Sequence, residues 1–274
     1  MVAPTSAAGD LLRRIEAYYD AVPRRFARVA DCGPLTLFLG EPGGWTYYAR
    51  PRLGGTEPVG RDDVERALQR LADERLPEVV EWVHETTPSM LEAVRRDPAL
   101  ELEELPLLAL DGELTVRTPP LPEGVAVRLL TEHDEEALAA ASAASVVGFG
   151  APGTGRGPAG PRERDAGRRP ASRRVLDLIA ERAVRIAVAE HERDGVLATG
   201  RTLPIDGVTE VMGVATLPAA RRQGLGAAVT ARLVADAADL GVRTVFLTAS
   251  SEAVARVYAG VGFARVGTGW SARR

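Results

Sequence analysis

The feature that most constrains the fold is the stretch from Val208 to Gly241, in which the hydrophobic period changes from two to 3.6. Its first part, 208–216, is apolar and β-branched, which predicts a strand. A proline and a turn rich in arginine and glycine follow. From Gly226 onward the apolar residues recur at helical spacing: Val229, Leu233, Ala237 and Leu240. Gly241 then stands where a helix C-cap is expected. The stretch predicts a strand, a glycine-rich turn and a helix.

This turn gathers backbone N–H groups at a helix N-terminus, and such a place binds phosphate groups. The spacing narrows the choice of ligand. A dinucleotide fingerprint needs a small residue three places after its second glycine, but Gly226 is followed there by Val229. A P-loop needs a lysine, and all 34 basic residues of the chain are arginine. A nucleotide-binding oxidoreductase is therefore a distant alternative.

Three motifs in the expected order match one known family. The turn has the pattern Arg/Gln-x-x-Gly-x-Gly/Ala, and the end of a later helix reads Val-Tyr-x-x-x-Gly-Phe, at 257–263. Glu210 lies on the strand, fourteen positions before the first glycine of the turn. At these residues the sequence resembles the GNAT superfamily of acetyl-CoA-dependent N-acetyltransferases. The resemblance implies an α/β fold with a mixed sheet, the GNAT-like acyl-CoA N-acyltransferase fold, and acetyl-CoA as cosubstrate without a metal.

The resemblance also implies roles for individual residues. Glu210 would be the general base and Tyr258 the acid that protonates the leaving thiolate. The strand would pair its backbone with the pantetheine arm, and the turn would wrap the pyrophosphate: Val214, Ala215 and Thr216 for the strand; Arg221, Arg222, Gln223, Gly224, Leu225, Gly226 and Ala227 for the turn. Ser251 occupies a position where the family often has an asparagine on the pantetheine arm. For Glu210 a solvent-facing carboxylate, and for Tyr258 a core tyrosine, remain the alternatives.

The length fits two domains. The proline-rich segment 118–124 is the predicted linker between an N-terminal α/β domain at 1–117 and a GNAT domain at 125–274. The strand, helix and strand at 78–110 echo half of a GNAT domain without its glycine turn. The N-terminal half is thus either a degenerate GNAT-like domain, giving two tandem domains, or an unrelated α/β cap.

Four further expectations concern single elements. A helix is predicted over 10–29, with Pro23 ending or kinking it, and a strand over 45–49 after a turn of hairpin composition at 40–44. Ala264–Gly267 is expected to close the sheet that contains the strand from Val208. The segment 148–170 has eleven Gly or Pro among its 23 residues, which predicts that no regular element forms there. A disordered loop is the preferred interpretation, and a mobile lid over the acceptor or the CoA phosphates is the alternative.

Composition excludes several classes. The formal charge of −4 argues against non-specific nucleic-acid binding. Cys32 is the single cysteine, and no apolar run has the length of a membrane span, so a protein of the reducing cytoplasm without disulfides is expected. His84, His133 and His191 are far apart, which does not suggest a metal site.

Two functions follow from this sequence. The first is an N-acetyltransferase in which a primary amine, on a small molecule or a protein, attacks acetyl-CoA directly in a ternary complex. The second is a domain that binds acyl-CoA as a sensor or scaffold without turnover. The acceptor, the acyl-chain preference and a homodimeric state are left open by the sequence.

Overall fold

The computed structural model of the protein describes residues 7–41, 45 and 47–274. Its helices are α1 (Ala7–Arg24), α2 (Arg61–Asp73), α3 (Ser89–Arg95), α4 (Glu135–Phe149), α5 (Pro161–Ala166), α6 (Arg173–Ala180), α7 (Leu225–Asp239) and α8 (Glu252–Val261). Its strands are β1 (Ala27–Cys32), β2 (Leu35–Gly40), β3 (Ala49–Pro51), β4 (Val79–Val83), β5 (Glu101–Asp111), β6 (Val125–Leu129), β7 (Arg185–His191), β8 (Gly195–Thr202), β9 (Val208–Thr216), β10 (Thr244–Thr248) and β11 (Ala264–Arg273).

The chain divides into two compact units. The first consists of residues up to Leu107 together with 248–251 and 265–274, and the second of residues 108–247 and 252–264. The proline-rich segment 118–124 thus lies inside the second unit, and β11 inside the first. The compact units and the sequence-based domains 1–117 and 125–274 therefore differ in their boundaries.

The first unit contains the strand order β1-β2-β3-β4-β11, antiparallel except for the parallel pair β3–β4. Its apolar core forms where β4 turns Val80 and Trp82 towards the buried face of α2, whose inward residues are Val64, Leu68 and Leu71. Trp270 of β11 lies opposite Trp82, with ring centroids 6.1 Å apart and planes 10° from parallel. The core of this unit therefore needs β11.

The strand that begins at Ala264 is longer than the predicted 264–267. It runs on to Arg273 and pairs antiparallel with β4, a partner that the sequence did not indicate. The physical reason is that a strand's own pattern fixes its buried face but not which edge it joins.

Two other elements of the first unit differ from their predictions. The predicted helix 10–29 ends at Arg24, because β1 follows three residues later as a poorly buried strand with little apolar alternation. The strand predicted over 45–49 and the turn at 40–44 lie partly outside the described residues. Of its described residues, 45 and 47–49, Ala49 alone is in a β-strand, as the first residue of β3.

The second unit contains the strand order β10-β9-β8-β7-β6, in which β9 and β10 are parallel and β6 to β9 are antiparallel. Residues 101–107 of β5 belong to the first unit and residues 108–111 to the second. Helix α7 packs on β7, β8 and β9, with Val229, Leu233 and Ala237 buried as predicted. The prediction for Leu240 is wrong, since that side chain is exposed. Gly241 adopts φ +76°, the left-handed conformation of a helix C′ glycine.

The close approach of α7 to the sheet depends on Gly200 of β8. A Cβ at this position would lie 3.0 Å from Val229 Cγ1, 3.1 Å from Val214 Cγ2 and 3.3 Å from Leu233 Cδ1. Val229 and Leu233 are fully buried, and side chains in a close-packed interior have little room to shift. A side chain here would push the helix away from the strands that it covers.

Gly200→Ala should therefore lower stability by about 1–3 kcal/mol, the usual cost of overpacking, which corresponds to a melting temperature lower by roughly 2–8 °C. Gly260→Ala is the matched control, because this exposed glycine of α8 has no atom within 4 Å of an added Cβ. The control should gain up to about 1 kcal/mol from helix propensity. Thermal unfolding followed by circular dichroism measures both, and equal melting temperatures for the two variants would refute the packing argument.

Candidate functional site

Strand β9, which carries most of the predicted site residues, contains a β-bulge. Thr199 of β8 lies opposite Ala215, and Arg201 lies opposite Met212. Gly200 alone therefore faces two residues of β9, Gly213 and Val214. Gly213 has φ +62°, a conformation that glycine adopts without strain.

The bulge changes which face of the sheet each side chain of β9 takes. Glu210 and Met212, which precede the bulge in sequence, lie on the same face of the sheet as Ala215. Helix α4 packs on this face, where a Cβ on Gly148 would be 3.0 Å from the Cβ of Ala215. Val214 and Thr216 lie on the opposite face, on which α7 packs. A Cβ on Gly226 would be 3.6 Å from Val214 Cγ1 and 3.5 Å from Thr216 Oγ1. Glu210 and the end of β9 thus point to opposite sides of one strand.

The strands β9 and β10 separate just after Glu210. Their parallel pairing joins Val208 to Thr244, Thr209 to Val245 and Glu210 to Phe246, and the structure shows no further pair between them in the residues that it describes. Beyond this point no strand in the described part of the chain is paired with the edge of β9 that faces β10. A ligand with amide groups can pair with such an edge as an added strand would.

The turn before α7 presents a run of free backbone N–H groups. Gly224 is the N-cap, with φ +77°, and Arg222 is also left-handed, with φ 63°. The first helical bond runs from the amide of Ala228 to the carbonyl of Gly224. The six amides from Arg222 to Ala227 have no acceptor among the described residues. With the positive end of the α7 dipole, they form an arrangement suited to a phosphate or pyrophosphate.

Two prolines of the predicted linker lie beside this turn. A Cβ on Gly224 would be 3.2 Å from the Cβ of Pro119 and 3.7 Å from the carbonyl oxygen of Pro120. The glycine is therefore needed for space as well as for its backbone conformation.

The side chain of Arg221 binds backbone carbonyls. Its Nε donates to Thr216 O at 3.3 Å, and its Nη groups donate to the carbonyl oxygens of Gly148 at 2.8 Å, Ala151 at 2.6 Å and Gly155 at 3.1 Å. In return, the Arg156 side chain donates from Nε to the carbonyl of Arg221 at 3.0 Å.

These contacts and others correct the interpretation of 148–170 as a disordered loop without regular elements. The amide of Gly157 donates to Pro218 O, and the amide of Ala219 donates to Ala159 O. Helix α5 forms because Pro161 opens its first turn and the Glu163 carboxylate accepts from the Gly160 amide. The order of this segment could not be predicted from its composition, because its hydrogen-bond partners are distant in sequence.

Helix α5 is held by a buried arginine. Arg164 is 4% exposed and donates to the carbonyls of Asp194 and Val196, both at 2.6 Å, and to the carboxylate of Asp165. A buried guanidinium with these partners fixes the helix on the β7–β8 hairpin.

Tyr258 lies on α8 and is 9% exposed, with its ring edge-on to Phe263 at 6.1 Å. Burial raises the pKa of its phenol to about 12. The hydroxyl therefore remains protonated at every physiological pH and can act as a hydrogen-bond donor.

The remaining residues complete the picture. Ser251 directly precedes α8, and Gln223 and Ala227 flank the glycines of the turn. Sequence reasoning missed Arg201. This residue of β8 lies opposite Met212 of β9, so it is on the same face as Glu210 and is its diagonal cross-strand neighbour. It also missed the bulge, although an isolated glycine inside a strand pattern, here Gly213, is the usual signal for one.

Two kinds of feature are absent from the described residues. Of the helices that the structure describes, none is long and apolar enough to cross a membrane. Over the same residues, His, Cys, Asp and Glu side chains form no group of three or more that could hold a metal ion.

Comparison with known proteins identifies a family for part of the chain. Residues 159–263 match the model of the acetyltransferase (GNAT) family. A comparison with curated proteins gives no match. The matched segment runs from just before α5 to the end of α8, so it contains the bulge, the turn and Tyr258. The resemblance inferred from the motifs is confirmed for this segment.

Solved structures extend the likeness to the whole fold. A GCN5-related N-acetyltransferase from Kribbella flavida gives a TM-score of 0.69 at 23% identity, covering 95% of this chain and 94% of that one. A tandem GNAT protein from the clavulanic acid biosynthesis pathway gives 0.55 at 15% identity, covering 93% and 87%. A GNAT-family acetyltransferase from Novosphingobium aromaticivorans gives 0.51 at 17% identity, covering 96% and 94%. The predicted mixed α/β GNAT fold is thus confirmed.

The raised pKa of Tyr258 gives a prediction about alkaline stability. The ordinary phenol pKa is about 10, so between pH 10 and 12 the unfolded chain loses this proton while the folded chain keeps it. The free energy of unfolding should therefore fall by roughly 2–3 kcal/mol more in the parent than in Tyr258→Phe over this range. Urea unfolding at both ends of the range measures the difference, and parallel losses in the two proteins would contradict the raised pKa.

Proposed function

We propose that the second unit is an acetyl-CoA-dependent N-acetyltransferase in which a primary amine attacks the thioester directly in a ternary complex. The observation that carries the proposal is the run of six free amides at the N-terminus of α7, next to a strand edge without a partner. A ligand that matches this arrangement has a diphosphate, which the free amides can bind, and an arm with amide groups, which can pair with the strand edge. The GNAT family match over 159–263 supports the same reading.

The residues present fit the cofactor. The amides from Arg222 to Ala227 would hold the pyrophosphate, and the free edge of β9 at Val214, Ala215 and Thr216 would pair with the pantetheine amides. When bound, acetyl-CoA supplies the acetyl thioester.

Glu210 is proposed as the general base. It faces the side of the sheet on which α4 packs, at the point where β9 and β10 separate. An amine that enters from this side arrives as an ammonium ion with a pKa of about 10 and must lose one proton before it attacks. The Glu210 carboxylate takes that proton, directly or through a water molecule.

Tyr258 is proposed as the hydrogen-bond donor to the departing thiolate. A thiol has a pKa of about 8.5, whereas burial raises that of Tyr258 to about 12. Complete proton transfer would therefore be uphill by about 3.5 pKa units. The hydroxyl acts by donating a hydrogen bond to the developing charge, and the proton itself can come from the amine by way of Glu210.

The competing function is a sensor or scaffold that binds acyl-CoA without turnover. Free CoA thiol, released from acetyl-CoA in the presence of a panel of small amines, amino acids, polyamines and peptide N-termini, distinguishes the two. Amine-dependent release above the rate of simple hydrolysis supports the enzyme. Tight binding of acetyl-CoA without release for any acceptor class supports the sensor.

The cofactor site is tested at Gly226. An added Cβ has ordinary contact distances here, so Gly226→Ala should keep its acetyl-CoA affinity within a few-fold. Gly226→Asp adds a carboxylate beside the pyrophosphate amides and should weaken binding by about 100-fold or more. Asp at a helix N-terminus is stabilising in itself. Calorimetry measures both affinities, and equal binding by the two folded variants would refute the site.

The base is tested by Glu210→Gln, which preserves size and removes the charge. Its rate at neutral pH should fall by about 10²–10⁴-fold, and the deficit should shrink as pH approaches the pKa of the amine, where free amine is abundant. Acetyl-CoA affinity should stay nearly constant, since the proposed role concerns the amine. A parental pH–rate profile in a variant that melts like the parent would remove Glu210 from the mechanism.

A further inference from the structure

Arg221 is the first residue of the turn motif, and the family resemblance implies that it binds the cofactor. Its guanidinium is instead occupied. Four of its five N–H donors reach carbonyl oxygens, three of them in the segment 148–155 and one on Thr216. One N–H donor is left, so this side chain could hold a phosphate with two donors only by giving up at least one of these bonds. Each of them is worth more than a neutral hydrogen bond because the donor is charged.

The carbonyls that Arg221 binds belong to the end of α4 and the chain that follows it. Gly148 packs against Ala215, on the face of the sheet that carries Glu210. The backbone of Arg221 continues into the six free amides on the other side of the strand. The residue thus connects the side from which the amine would enter with the side that would hold the cofactor.

The segment 148–160 has few other means of keeping its position. It is rich in glycine, and its remaining backbone contacts with the turn are the bonds between Gly157 and Pro218 and between Ala219 and Ala159. Arg156 adds one bond, to the carbonyl of Arg221 itself. Most of the bonds that hold this segment therefore pass through Arg221.

We propose that Arg221 is a positioning residue that fixes the segment 148–160 against the cofactor turn, so that the acceptor side of the site is built before any ligand binds. Its fork geometry is required, because a lysine ammonium has three donors on one atom and cannot reach four carbonyls in different directions. The cation has no carboxylate within 4 Å among the described residues, so its charge still adds to the positive potential of the turn.

The first test uses hydrogen exchange and needs no ligand. The amides of Gly157 and Ala219 report whether the segment is attached. In Arg221→Met, and also in Arg221→Lys, their exchange should accelerate by about 100-fold, the effect expected from losing two or more charge-assisted bonds. Arg222→Met is the matched control, since this neighbouring side chain has no partner in the described part of the chain, and it should leave both amides at the parental rate.

The second test is kinetic and rests on the proposed function. Arg221→Lys keeps the charge and should hold acetyl-CoA affinity within a few-fold, while the KM of the amine rises by about 10-fold or more. If Arg221 were a phosphate ligand, Arg221→Met would lose affinity for acetyl-CoA and the two amides would exchange at the parental rate. Parental exchange in both Arg221 variants would overturn the inference. Hydrogen exchange is measured without substrates. If the protein had no transferase activity, the proposed function would be wrong, but the exchange rates would still test the role of Arg221.

Discussion

The extra residue in β9 opposite Gly200 is the constraint on which the candidate site depends. In a regular strand, Glu210 and Thr216 would lie on the same face, because they are an even number of positions apart. The bulge at Gly213 and Val214 reverses this relation above it. One strand can therefore present the Glu210 carboxylate to one face of the sheet and Thr216 to the other, while its free backbone edge stays available to a ligand.

The N-terminus of α7 has a fixed direction only if the side of the helix is anchored to the sheet. Arg185 on β7 makes two hydrogen bonds to the Asp236 carboxylate, at 2.8 and 2.7 Å, with only 15% and 8% of the two side chains exposed. The bond to Asp236 raises the pKa of the Arg185 guanidinium. A paired charge in this setting contributes more to the orientation of the helix than to net stability, since desolvation offsets much of the attraction. The free amides at the other end thus belong to a helix with a fixed direction.

The parts that the sequence predicted well are those in which neighbouring residues decide the outcome. The strand, turn and helix at 208–241 form as predicted. Their signals are local: the change of period at Gly226, the cap at Gly241 and the glycines of the turn. Helix α5 was missed because its start depends on the Gly160–Glu163 cap inside a segment that composition marks as irregular. The roles proposed for Glu210 and Tyr258 came from the family resemblance and remain proposals, while burial of Tyr258 added a physical property that no motif contains.

Other parts lay beyond sequence reasoning because their partners are far away. The guanidinium of Arg221 reaches carbonyls about 70 positions earlier in the chain. Arg201 and Glu210 share a face only because of the strand register. The partner of β11 depends on which strand edge is open. In each case the residue type was compatible with several arrangements, and tertiary packing selected one.

The pairing of β4 with β11 has a consequence for the order of events during synthesis. Glu85 and Thr268, which meet beside this pair, are 183 positions apart in the sequence. At about 5–20 residues per second, the ribosome delivers β11 roughly ten to forty seconds after β4. Until then Trp82 lacks the ring that covers it, and β4 presents an open edge of the kind that invites wrong pairing. The first unit to be translated is thus the last to be completed, and a chaperone that shields β4 would act on the nascent chain.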